Sequence, residues 1–221
     1  WNETMHVSQI MSAAVDSIAV DMKLSHAAAL MREKNRRCLP VIDADNRLVG
    51  LFSRRELASA EPSAITTLSV GEVNYLTSTI TVGQLMQKSP PTCGPDTLIE
   101  EAGHLIRQEK VACLPVVDQD GHVVGLVSET DILDFFLDIT GCTLTDTARI
   151  AVKLPDEIGT LGTLLDTINE FGGYIATVIS PVSIDAQGRR TVIVRHRSED
   201  PAELDRHLRE QGYDLMIEDL P

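Results

Sequence analysis

The hexapeptide Cys38-Leu39-Pro40-Val41-Ile42-Asp43 returns further along the chain as Cys113-Leu114-Pro115-Val116-Val117-Asp118. The offset is 75 residues, and at that offset the chain aligns with itself without a gap from Val7 to Leu57. Val49-Gly50-Leu51-Phe52-Ser53 falls on Val124-Gly125-Leu126-Val127-Ser128, Met11 on Met86, Asp21 on Asp96 and Arg32 on Arg107. An ungapped self-match of this length marks a duplicated structural unit. Within each copy the hexapeptide reads as a short apolar strand. A turn follows, Asp43-Ala44-Asp45-Asn46 or Asp118-Gln119-Asp120-Gly121, and then a second strand. Before it, Leu24, Ala27, Ala28, Leu30 and Met31 recur at helical spacing, as do Ala102, Leu105 and Ile106, with Thr97 and Glu100 as a capping box. A further helix opens at Ser53 and at Ser128. Each unit is therefore βαββα, too small to bury much surface alone, so the two copies are expected to pack on each other.

The remaining third of the chain has another pattern. Arg149 to Leu154 alternates like a strand, and Thr160 is expected to cap a helix with Leu161, Leu164, Leu165 and Ile168 on one face. Phe171-Gly172-Gly173 ends it. A hairpin turns at Asp185-Ala186-Gln187-Gly188, Asp200-Pro201 starts a second helix, and Tyr213 to Ile217 is a last strand. The order βαββαβ is that of ferredoxin-like folds. The whole is an α+β chain in three parts, residues 1–64, 65–142 and 143–221.

Composition narrows the function. A formal charge of −14 over 221 residues argues against nucleic acid and anionic membrane as partners, since both demand clustered Lys and Arg. No apolar run approaches bilayer length. The cysteines, Cys38, Cys93, Cys113 and Cys142, form no CxxC pair and no zinc spacing, so they read as buried thiols of a cytoplasmic protein, with no metal expected. The histidines are scattered, and there is no P-loop and no GxGxxG. No catalytic residue is proposed, and the chain reads as a non-enzyme.

The motif hydrophobic-Pro-Val-hydrophobic-Asp, followed by Gly-hydrophobic-hydrophobic-Ser-x-x-Asp, resembles the CBS domain, and two copies resemble a CBS pair, or Bateman module. The stretch from Leu68 to Leu76, running into Ile80 to Met86, is similar to the acetoin-utilisation AcuB group. Leu154-Pro155-Asp156-Glu157-Ile158-Gly159-Thr160-Leu161 resembles the opening of an ACT domain, in which Asp156, Ile158, Gly159 and Leu161 would line a small-molecule loop. Tyr174-Ile175 stands where that pattern commonly has Asn-Ile.

The resemblance implies an adenine nucleotide (AMP, ADP, ATP or a related adenosyl compound) as regulatory ligand. Ser128 and Asp131 open a helix whose free N–H groups suit an anion, and a carboxylate there can accept ribose hydroxyls. The same residues equally form a capping box. In CBS pairs this segment faces the Pro-Val strand of the other copy, which here holds Arg37, Cys38, Leu39 and Pro40, with Ile18 and Ala19 on the first strand. A second site would use Ser53, Glu56, Cys93, Ala112 and Cys113, with Glu56 in place of the family Asp. The resemblance also implies a homodimer and a regulated protein partner. Alternatives are a small-molecule sensor acting through the ACT-like part, or an oligomerisation module without ligand.

Overall fold

The computed structural model describes residues 5–60 and 79–216. The AcuB-like stretch Leu68 to Leu76 and the boundary at residues 64 and 65 lie outside them. The chain divides into two compact units, residues 1–134 and 135–221.

The first unit opens with a 3-10 turn, Val7–Gln9, followed by β1 (Ile18–Ala19), α1 (Leu24–Glu33), β2 (Cys38–Ile42), β3 (Leu48–Ser53) and α2 (Arg54–Ala60). After the undescribed stretch come α3 (Val82–Leu85), β4 (Gln87–Lys88), α4 (Ile99–Glu109), β5 (Cys113–Val117), β6 (Val123–Ser128) and the start of α5 (Glu129–Ile139). β1 pairs in parallel with β2, and β2, β3 and β4 are antiparallel neighbours. β5 and β6 form the equivalent hairpin. The first strand of the second copy is reduced to one parallel bridge, Cys93 to Val116, the counterpart of Ile18 to Val41. The apolar stripe of α1 does what its spacing requires: Leu24, Ala27, Ala28 and Met31 are buried.

Two local expectations change. Thr97 does not cap α4; the cap position is Leu98, and the Thr97 hydroxyl accepts instead from Gly94 N–H at 3.0 Å. Nor are all four cysteines buried thiols. Cys38 and Cys113 are joined as a disulfide, Cys93 is a buried thiol and Cys142 is exposed. Residues that share an equivalent place in two facing repeats meet on the axis between them, a relation that local sequence patterns do not carry.

The copies complete one another. Gln87 of β4 pairs with Leu51 in the first hairpin, and Ser12 bridges to Leu126 in the second. Val82 N–H donates to Met22 carbonyl at 2.9 Å, and Val7 N–H to Thr97 carbonyl at 2.9 Å. Each copy thus places its opening segment on the edge of the other copy's hairpin, satisfying backbone groups that a lone hairpin edge would expose.

The second unit holds β7 (Ala148–Pro155), α6 (Thr160–Glu170), β8 (Tyr174–Ile179), β9 (Arg189–Arg197), α7 (Pro201–Glu210) and β10 (Asp214–Leu215). The sheet order is β10-β7-β9-β8, which with βαββαβ connectivity is the ferredoxin-like arrangement. Leu164, Ile168, Leu204 and Leu208 of the helices pack with Ile150, Val152, Leu154, Val192 and Val194 of the sheet. Asp200 caps α7 by accepting from Glu203 N–H, with Pro201 at the first position. Gly159, not Thr160, is the cap of α6. Its φ of +92° turns the chain into the helix, while the Thr160 hydroxyl donates back to the carbonyls of Pro155 and Glu157.

Candidate nucleotide clefts

Two clefts of the first unit occupy equivalent places in the duplication. The first, about 290 Å³, is lined by Ser12, Asn35, Arg36, Arg37, Cys38, Ala112, Cys113, Leu126, Ser128, Thr130 and Asp131. The second, about 210 Å³, is lined by Gln87, Lys110, Val111, Ala112, Arg37, Cys38, Leu51, Ser53, Arg54, Arg55 and Glu56. These volumes sit at or below the low end for small-molecule sites, about 300 Å³, so a nucleotide seated in either cleft would leave part of itself toward solvent.

The serine of each cleft ends a strand, and a helix begins at the next residue. Ser128 N–H and hydroxyl both donate to Asp131 Oδ2, at 2.7 and 2.6 Å. Ser53 N–H donates to Glu56 Oε2 at 2.9 Å, and the Ser53 hydroxyl donates to the same oxygen. The longer glutamate folds back to make the same contact, so the replacement of Asp by Glu leaves the cap intact. The reciprocal capping box is complete at Ser128, whose hydroxyl accepts from Asp131 N–H, while the Ser53 hydroxyl accepts from Arg55 N–H instead. The cap also fixes a carboxylate at each cleft, held through one oxygen, Oε2 of Glu56 or Oδ2 of Asp131.

Arg37 lines both clefts, and its Nη1 lies 3.4 Å from Thr130 Oγ1. Cys38 also lines both, while Cys113 lines the first cleft alone. Leu39, Pro40 and Ile18 are core residues, and Ala19 is exposed on β1 outside both clefts. Cys93 is buried, and burial pushes its thiol up to about 11; it lines neither cleft. Sequence reasoning left out Asn35 and Lys110, which are equivalent positions with left-handed backbone at φ 50° and 54°. It also left out Arg54, Arg55 and Thr130. The backbone turn before each Pro-Val strand brings Asn35 and Lys110 in; the sequence signal is only that they precede that strand at the same distance.

The clefts differ in charge. Arg37, Arg54, Arg55 and Lys110 surround the second, against one carboxylate, Glu56. The first has Arg36 and Arg37 against Asp131, and Arg36 is already committed to Asp16 at 3.0 Å. The second cleft is therefore the more attractive to a multiply charged anion, within the limits that solvent sets on exposed cations.

Elsewhere, Asp156 pairs with Arg190, Ile158 is fully exposed, and Leu161 packs on the core of the second unit. Asp118, Asp120 and His122 bring ligand atoms within 4.8 Å of one another at the β5–β6 turn. Asp118 Oδ1 there accepts the N–H groups of Asp120 and His122. The His122 N–H in particular holds the Asp118 carboxyl below its ordinary range. Turn formation accounts for this grouping. Among the described residues no helix is long and apolar enough to cross a membrane.

A duplicated hairpin frame with exchanged edges and two equivalent clefts defines a paired-repeat module. The CBS domain family model matches residues 7–63 and 82–138, more than half of the chain, and the chain belongs to that family. A CBS domain-containing protein of Dictyostelium discoideum is 29% identical over 133 residues, covering 60% of this chain and 92% of that protein. CBSX2 of Arabidopsis thaliana is similar in structure, with 30% identity and a TM-score of 0.52 over 61% of this chain and 96% of that one. A second CBSX2 structure holds AMP and gives 28% identity and a TM-score of 0.51. AcuB of Vibrio cholerae, 21% identical with a TM-score of 0.52 over 63% of this chain and 96% of that one, shares the fold. Among enzymes, the homoserine O-acetyltransferase of Methanococcus vannielii is 30% identical over 126 residues, but the match covers 57% of this chain and only 24% of the enzyme.

Proposed function

We propose that this chain is a regulatory sensor that binds an adenine nucleotide in the clefts between its two CBS repeats and passes that state to a protein partner. The observation that carries the reading is the equivalence of the two clefts. Each joins a capped Ser–carboxylate pair from one repeat to the turn before the Pro-Val strand of the other, and Arg37 is reachable from both. AMP held by the similar CBSX2 supports the ligand class. The cation-rich Ser53–Glu56 cleft suits the longer phosphate chain of ADP or ATP; the Ser128–Asp131 cleft suits AMP or an uncharged adenosyl group. A cytoplasmic, homodimeric protein linked to acetoin metabolism, with an ACT-like second unit, completes the proposal.

Thermal unfolding with AMP, ATP or S-adenosylmethionine tests it. A ligand present at about 100 times its Kd stabilises by roughly 2.7 kcal/mol, a readily measured rise in Tm. A rise with free amino acids and none with adenosyl compounds would move the sensing role to the second unit. No rise with either would leave an oligomerisation module.

A further inference from the structure

Cys38 and Cys113 are the same position of the two repeats, and their sulfurs are bonded across the axis between them, with Cα atoms 6.9 Å apart. Both are almost fully buried, packed with Leu51 and Leu126. Cys38 is the strand partner of Ser53, and Cys113 the strand partner of Ser128. The bond therefore lies one strand from each cleft serine, and Cys38 forms part of the wall of both clefts.

We infer that Cys38 and Cys113 form a redox-active pair, whose reaction partners are small or protein dithiols and disulfides, and that its oxidation state sets the affinity of both clefts. The affinity part rests on the nucleotide reading; the redox part does not. Where thiols are kept reduced, cytosolic disulfides are usually catalytic or redox-sensing rather than structural. The pair joins residues 75 apart in sequence, so oxidation ties one hairpin to the other. Two thiols in van der Waals contact need a wider sulfur separation than a bond does. Reduction therefore releases the tie between the hairpins that carry Ser53 and Ser128.

The chemistry balances as thiol–disulfide exchange. A thiolate of the reductant attacks one sulfur from the cleft, forming a mixed disulfide and releasing the other cysteine as a thiolate, which takes up a proton. The reductant's second thiolate then displaces the first cysteine, which is protonated in turn. One protein S–S bond is broken, one is formed in the reductant, and two electrons pass to the protein. Glutathione disulfide drives the reverse. Because the approach to Cys38 is through the clefts, a bound nucleotide covers it. If oxidation changes nucleotide affinity by some factor, nucleotide shifts the thiol–disulfide equilibrium by the same factor.

The test uses the full chain. After equilibration with glutathione disulfide, denaturation and alkylation, mass spectrometry is expected to find Cys93 alkylated, the exposed Cys142 alkylated or carrying glutathione, and Cys38 linked to Cys113; after dithiothreitol all four cysteines are alkylated. AMP and ATP titrations of the two forms are expected to differ by about fivefold or more in Kd, the lower end of ordinary coupling. Cys38→Ser and Cys113→Ser variants should lose that redox dependence. Four alkylated cysteines after oxidation would overturn the proposal. A linked pair with identical affinities in both forms would overturn the control of the clefts. A linked pair with no nucleotide bound in either form would overturn the nucleotide reading and leave the redox pair standing on the thiol count.

Discussion

Asp131 caps α5, and the proposed function gives its carboxylate a second role, toward the nucleotide. Its Oδ2 is occupied by Ser128 N–H and hydroxyl, which is helix capping; its other oxygen is available to a ligand in the cleft. Asp131→Ala is expected to weaken AMP binding by about 1.5–3 kcal/mol, the usual cost of losing a hydrogen bond to a charged group. Glu56→Ala should weaken it less, because Glu56 departs from the family carboxylate. Calorimetric titration of both variants checks this, and wild-type affinity in Asp131→Ala would leave Asp131 as a cap alone. His196 supports a prediction of another kind. It is buried within the second unit, and among the described residues neither ring nitrogen has a hydrogen-bond partner. Burial pushes its pKa below the ordinary 6.5, and Asp205 offsets this only in part. The unfolded chain therefore binds a proton at a higher pH than the folded one. Stability is fully present above about pH 6.5 and falls as pH drops through that value, by at most ~1.4 kcal/mol per pH unit, until the folded pKa is reached. Urea unfolding between about pH 8 and pH 5 should show this slope, and His196→Leu should flatten it. A wild-type slope no steeper than the variant's would mean that His196 does not titrate on unfolding.

At the level of elements, the exchange of edges between repeats depends on two glycines. A Cβ at Gly50 would run into the Met86 side chain and lie 3.1 Å from the Gln87 carbonyl; at Gly125 it would run into the Met11 side chain. These are equivalent contacts of β3 with β4 and of β6 with the segment around Ser12. The methionines can rotate away, but the carbonyl is part of the strand pairing. Gly50→Ala is expected to destabilise by about 1–3 kcal/mol, in the range of overpacked cores, and Gly125→Ala, which meets only the Met11 side chain, by less. Chemical denaturation gives the answer, and unchanged midpoints in both variants would mean that the edges tolerate a wider spacing.

For the whole molecule, the open question is assembly. α5 exposes Leu133, Phe136, Leu137 and Ile139, an apolar stripe on one helix. Water contact over such a stripe is unfavourable, and pairing of two copies through it would remove the cost. Light scattering at micromolar concentration is expected to give twice the 24.1 kDa of one chain. A monomer mass would reject the homodimer, and Phe136→Glu should shift the dimer toward monomer without unfolding it, because that side chain is already partly in solvent.

What the amino-acid order alone determined is local or repetitive. The self-match around Cys38 and Cys113, the Asp43 and Asp118 turns, the stripe of α1 and the Asp200-Pro201 start of α7 all depend on neighbours within a few residues, whose periodicity and turn chemistry can be read directly. The capping box at Ser128 was legible for the same reason. The edge exchange at Ser12 and Gln87 was decided only in three dimensions, as was the meeting of Cys38 with Cys113. So were the diversion of Arg36 to Asp16 and the place of Arg37 in both clefts. These join residues far apart in the chain, and their partners follow from how one repeat packs against its copy, which no periodicity along a single repeat encodes.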